Sequence, residues 1–190
     1  MNFSFIYLKI NHMNLIDVIL LIIIAGFGMF GLWFGLIHTL GSLIGTVAGA
    51  YLASRYYEPM ADWLTSITGW GENFSRVLMF IIAFMIINRL VGFGFWIVDK
   101  MTSIFTNLPF IKGINRFLGL IFGLFEGVLT IGLIIYFIER FPLGAWFMER
   151  LADSTVAPFT TSLAAVLIPL LPDALRILRS TVDYVEDTIL

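Results

Sequence analysis

The chain has 190 residues, 59% hydrophobic and 13% charged, with no cysteine and a net charge of −2. Soluble domains carry about 25% charged residues, so half that share at a mean hydropathy of +0.96 excludes an ordinary soluble globule and points to the lipid bilayer as solvent. Near-neutral charge without a basic stripe excludes nucleic acid as a partner, and the lack of cysteine excludes disulfides and thiol chemistry.

Residues 1–12, MNFSFIYLKINH, differ from the rest of the chain and read as a leader or interfacial segment, with Met13 opening the periodic apolar pattern. No small-residue cleavage site closes the first apolar run, which therefore reads as a retained helix. From Leu15 to Ala53 the chain is almost wholly apolar. As one rod at about 1.5 Å per residue it would reach roughly 60 Å, twice the hydrocarbon thickness of about 30 Å. It must hold two spans, near 17–36 and 39–56, with a tight turn between Trp33 and Thr39. Asp17 sits in the first turn, where an acid favours the helix dipole.

Residues 58–75 contain Pro59, Gly69, Gly71 and several acids, and read as a loop with Trp63 and Trp70 at headgroup depth. A third span is expected near 77–98, a second polar loop over 99–116, and a fourth span near 117–138. After Pro142 no stretch is long enough to cross. Asp173 is placed to cap a final helix in which Leu175, Leu178, Val182, Val185 and Ile189 form one apolar stripe. Residues 141–190 thus read as an amphipathic helical tail, lying on the membrane or folded on the bundle, or else forming a self-associating seam. Basic residues near span ends are Lys9, Arg55, Arg76, Arg140 and Arg150 on one side and Lys100, Lys112 and Arg116 on the other. That bias leans toward cytoplasmic termini without fixing the orientation.

Two runs repeat one pattern: Gly41, Gly45, Gly49 on the second span and Gly119, Gly123, Gly127 on the fourth. A glycine in a helix interior costs about 1 kcal/mol relative to alanine in water, but in lipid a row of glycines lets two backbones approach closely. The expectation is that these helices pack on each other or on a neighbouring copy, with Gly31 and Gly35 a weaker match on the first span. Arg89 and Glu126 fall at matching depths in the antiparallel third and fourth spans. A charge at a helix centre costs about 2.5–3.5 kcal/mol on insertion scales. The two are expected to form a buried ion pair, either fixing helix register or serving an ion or proton pathway, or else to snorkel separately. No pattern for catalysis, a cofactor or a metal is present, and His12 and His38 are isolated.

Several of these residues together resemble the colicin V production protein family: Asn14-Leu15-Ile16-Asp17 opening the first span, Gly35 in the hairpin, Ser54-Arg55-Tyr56-Tyr57 closing the second span, and Asn115-Arg116-Phe117-Leu118-Gly119 leading toward Gly123 and Gly127. The likeness covers about residues 13–140. It implies a small multi-pass protein of the bacterial cytoplasmic (inner) membrane, with Asp17, Gly35, Asn115 and Arg116 as family-motif positions. The chain departs from the family at Phe34, where an Arg is frequent, at Thr39, where an acid is, and at Asn115, where Asp is usual.

The expectation is an all-α membrane protein: a bundle of four transmembrane helices with glycine-mediated packing, plus an amphipathic tail. The functional expectation is a non-enzymatic scaffold or accessory factor in envelope function or peptide-toxin export, without cofactor. Its partners would be lipid and either its own copies or other membrane proteins. The alternative is a small oligomeric channel or transporter using the Arg89–Glu126 pair; a membrane enzyme would need convergent polar groups that the sequence does not assemble.

Overall fold

The computed structural model describes residues 13–106, 109–172 and 175, and every element among them is a helix. We label these α1 (Leu15–Phe34), α2 (Leu36–Thr68), α3 (Glu72–Thr106), α4 (Pro109–Arg140), α5 (Ala145–Ala152) and α6 (Val156–Ala164), followed by a 3-10 turn over Ala165–Leu170. Four segments are long and apolar enough to cross a membrane: Leu15–Phe34, Leu36–Thr68, Glu72–Ile97 and Gly113–Arg140.

Local chemistry sets the helix ends. Asn14 caps α1, accepting from the Asp17 N–H at 2.9 Å while Asp17 Oδ2 accepts from the Asn14 N–H at 3.1 Å, a reciprocal capping box. The break between α1 and α2 is the single residue Gly35, at φ 87° and ψ −178°, a backbone state essentially confined to glycine. It falls inside the stretch where the turn was expected. Gly69, in the left-handed region, ends α2.

Both polar loops expected from composition contract. Residues 58–68 continue α2, leaving only 69–71 before α3 begins at Glu72, and helical backbone runs through Thr106 and again from Pro109 within 99–116. Pro59 removes one backbone donor from α2, but Ala61 and Leu64 beyond it pack with Met79 of α3. The helical hairpin therefore outlasts its apolar part: polarity marks where a helix leaves lipid, not where it stops.

α1 packs along α4 and α2 along α3, with α2 against α4 joining the two pairs. The glycine runs face different partners from those expected. On α4, a Cβ at Gly119 would strike the carbonyl oxygen of Gly31, one at Gly123 the carbonyl of Phe27, and one at Gly127 the side chain of Phe27, all on α1. On α2, Gly41, Gly45 and Gly49 lie against Phe95, Asn88 and Phe84 of α3. A glycine groove needs either a second small surface or bulky knobs to fill it. Gly31 provides the first and the α3 side chains the second, so the two runs do not meet each other. The main buried cluster includes residues near the Asp17 end, where Phe80 and Phe137 stack with centroids 4.0 Å apart and Tyr57 meets Phe137 edge-on at 4.8 Å.

Residues 141–172 are built into this bundle. α5 and the α6–3-10 segment are bent by 86° relative to each other and are apolar enough as a pair to pass for a broken span or a re-entrant loop, although no stretch there was expected to be long enough to cross. α6 crosses α4 at Gly132, where an added Cβ would strike the carbonyl of Thr160 and lie 2.7 Å from Ala164 Cβ. The start of the segment meets Asp17, and its end meets Arg55, which donates to the Leu170 carbonyl at 3.1 Å. Both ends thus return to the same end of the bundle. The Leu175 carbonyl accepts from Arg140 Nε at 2.9 Å. The leader 1–12 and the stripe positions Leu178, Val182, Val185 and Ile189 lie outside the described residues.

Candidate functional site

Asp17 is fully buried although it carries a charge in the first turn of α1. Its Oδ1 accepts from Ser154 Oγ at 2.5 Å and from the backbone N–H groups of Thr155 and Val156, both at 3.0 Å. One carboxylate therefore completes its own capping box and also caps α6, across 137 to 139 residues of sequence. An acid facing an N-terminal set of N–H groups is favoured by both hydrogen bonding and the dipole. The helix-start reading of Asp17 describes half of what it does; the other half depends on where residues 154–156 dock.

Gly35 and Asn115 come together at the opposite end. Asn115 Oδ1 accepts from the Leu36 N–H at 3.0 Å, supplying α2 with a cap that Gly35 has no side chain to give. A Cβ on Gly35 would collide with the Asn115 amide. The acceptor is an oxygen, which the aspartate common in the family would also provide. Arg116, the next family-motif position, is exposed and takes no part in this contact.

Glu126 and Arg89 both line one cleft, but they do not form the expected ion pair. The ion pairs between described residues join Arg76 to Glu72 and Arg140 to Glu139. Glu126 is only 4% exposed and receives the Ser42 hydroxyl, with Asn88 beside it as a further side-chain partner. Arg89 is exposed. Matching depth does not ensure matching direction: adjacent helical residues project about 100° apart, and α3 turns Asn88 toward the gap at Gly45, leaving Arg89 at the cleft's rim. Ser42, Thr46, Asn88 and Thr130 were missed in the sequence. The available signal was a set of polar side chains within otherwise apolar spans, Ser42 and Thr46 standing one turn apart and flanking Gly45.

The cleft measures about 620 Å³, and its walls include Phe27 of α1 and Phe84, Phe93 and Trp96 of α3. Thr130, one turn after Glu126, also lines it; it is 6% exposed and its hydroxyl has no hydrogen-bond partner among the described residues.

These features define a multi-pass helical membrane protein whose buried polar groups tie helices together around one mid-depth cleft. The chain belongs to the colicin V production protein family, whose model matches residues 16–165. The match extends past the expected limit at residue 140 and takes in the segment that Asp17 caps. The chain is similar to the colicin V production protein of Escherichia coli (strain K12), 26% identical over 130 residues, which cover 66% of this chain and 74% of that one. No solved structure matches it.

Proposed function

We propose that the chain is a non-enzymatic multi-pass protein of the bacterial cytoplasmic membrane that acts as a scaffold or accessory factor in producing and exporting a peptide toxin of the colicin V kind. Membership of the family carries the link to toxin production. The scaffold reading rests on where the polar side chains went: Asp17 and Asn115 each cap a helix other than their own. In this reading the two glycine runs are packing seams, and the partners are lipid and other membrane proteins or further copies of the chain. The test is deletion of the gene in a toxin-producing strain. Secreted toxin should fall, with toxin precursor still made, and return with the wild-type gene but not with Asp17→Ala. Unchanged secretion in the deletion strain would refute the reading.

A second reading, a small oligomeric channel or transporter, is favoured by one observation: Arg89 and Glu126 line the same cleft at mid-span. Solute flux in proteoliposomes that Glu126→Gln alters would support it, and absence of flux from folded protein would exclude it.

A further inference from the structure

The hydrogen bonds around Glu126 leave its carboxylate without a cation beside it. Thr46 donates its hydroxyl proton to the Ser42 carbonyl at 3.2 Å, so its oxygen can only accept from Asn88 Nδ2 at 3.0 Å. That fixes the Asn88 amide with Oδ1 facing Ser42, 3.3 Å away. The Ser42 proton faces Glu126 Oε1 and Asn88 Oδ1, and the Asn88 side chain is a further partner of Glu126. One turn along α4, Thr130 presents a further hydroxyl, 94% covered, with no partner of its own among the described residues. A buried charge is costly unless it is paired, and no guanidinium or ammonium of the described residues lies within ion-pair distance of Glu126.

We propose that the cleft binds a hydrophobic primary amine, its ammonium group seated among Glu126, Asn88 and Thr130 and its apolar body between the aromatic walls. A primary ammonium has three N–H donors and no acceptor, which matches a floor built of a carboxylate, an amide oxygen and a hydroxyl. The cleft lies within the range of about 300–1,000 Å³ usual for small-molecule sites. Phe27, Phe84, Phe93 and Trp96 supply apolar surface and ring faces that attract a cation. Arg89 at the exposed rim opposes a positive head, so the proposal assigns it an unfavourable effect.

The experiment is equilibrium dialysis of labelled tryptamine against the full chain in phosphatidylcholine nanodiscs, with empty nanodiscs subtracted. N-acetyltryptamine and indole-3-propionate carry the same ring with a neutral and a negative head. Expected are saturable tryptamine binding at one site per chain, at least tenfold weaker binding of the other two probes, a loss of at least tenfold in Glu126→Gln, and tighter binding in Arg89→Gln. Thr130→Val removes a hydroxyl that holds nothing else among the described residues. It keeps the test decisive if Glu126→Gln does not fold, and should weaken tryptamine severalfold. Equal binding of the three probes, tryptamine affinity unchanged in a folded Glu126→Gln or in Thr130→Val, or no saturable binding above empty nanodiscs would overturn the proposal. The site stands apart from the toxin-production reading: normal toxin secretion with no amine binding would sink this inference alone.

Discussion

Replacing Asp17 by alanine should detach the segment after α4 from the bundle before it unfolds the spans. The carboxylate is fully buried and accepts from Ser154 Oγ and from the N–H groups of Thr155 and Val156, besides closing the α1 capping box through Asn14. Each buried donor left unmade costs about 1–3 kcal/mol, and loss of a helix cap about 1 kcal/mol. Thr155 and Val156 are half-buried and regain some hydration once the segment loosens. A total near 2–4 kcal/mol is expected for Asp17→Ala. Asp17→Asn keeps an acceptor at Oδ1 but turns an NH₂ group toward the Asn14 N–H, so it should lie between wild type and alanine. Ser154→Ala removes one donor to Asp17 and the cap on the Ala157 N–H (3.0 Å), for about 1 kcal/mol. The assay is hydrogen exchange by mass spectrometry in detergent, read separately for residues 145–172 and for α1–α4, beside a thermal melt. Exchange should quicken across 145–172 in Asp17→Ala while the central turns of α2 and α3 stay protected. The Asp17→Ala/Ser154→Ala pair should be less damaging than the sum of the singles, because the two share one hydrogen bond. Strict additivity, together with unchanged exchange over 145–172, would refute the reasoning that Asp17 pins the segment.

Three further outcomes are expected. Gly119→Val puts side-chain atoms where the Gly31 carbonyl sits and should destabilise by about 1–3 kcal/mol, whereas Gly26→Ala, whose Cβ meets nothing within 4 Å, should leave the detergent melting temperature unchanged or raise it by a helix-propensity gain of up to about 1 kcal/mol. Gly35→Ala forces a non-glycine residue into φ 87° and should cost about 1–3 kcal/mol; Asn115→Ala should cost about 1 kcal/mol and Asn115→Asp close to nothing, in the same melts. A double-mutant cycle on Ser42 and Glu126 should give a coupling of about 1–2 kcal/mol and one on Arg89 and Glu126 less than about 0.5 kcal/mol, the reverse order being the mark of a true ion pair.

Much was legible in the sequence because it is local or additive. Hydropathy sums residue by residue, so the membrane class and the count of long apolar helices required no knowledge of packing. The α1 start was readable because Asp17 is a first-turn acid next to the apolar run, its capping box with Asn14 emerging only in the structure, and the α1–α2 break because Gly35 is the residue type that tolerates its backbone angles. What the sequence could not state was direction and docking. The glycine runs announced close approach but not the partner, since any small or complementary surface suffices. The depths of Arg89 and Glu126 came from counting, whereas their separation came from a rotation of about 100° between Asn88 and Arg89. Only tertiary structure brought Ser154 to Asp17 over 137 residues and Thr160 to Gly132, because a buried polar group or a gap in a helix surface takes whichever distant element packing delivers. The helix ends beyond lipid were decided the same way: α2 continues past Pro59 because Ala61 and Leu64 find Met79, a contact that no window along the chain contains.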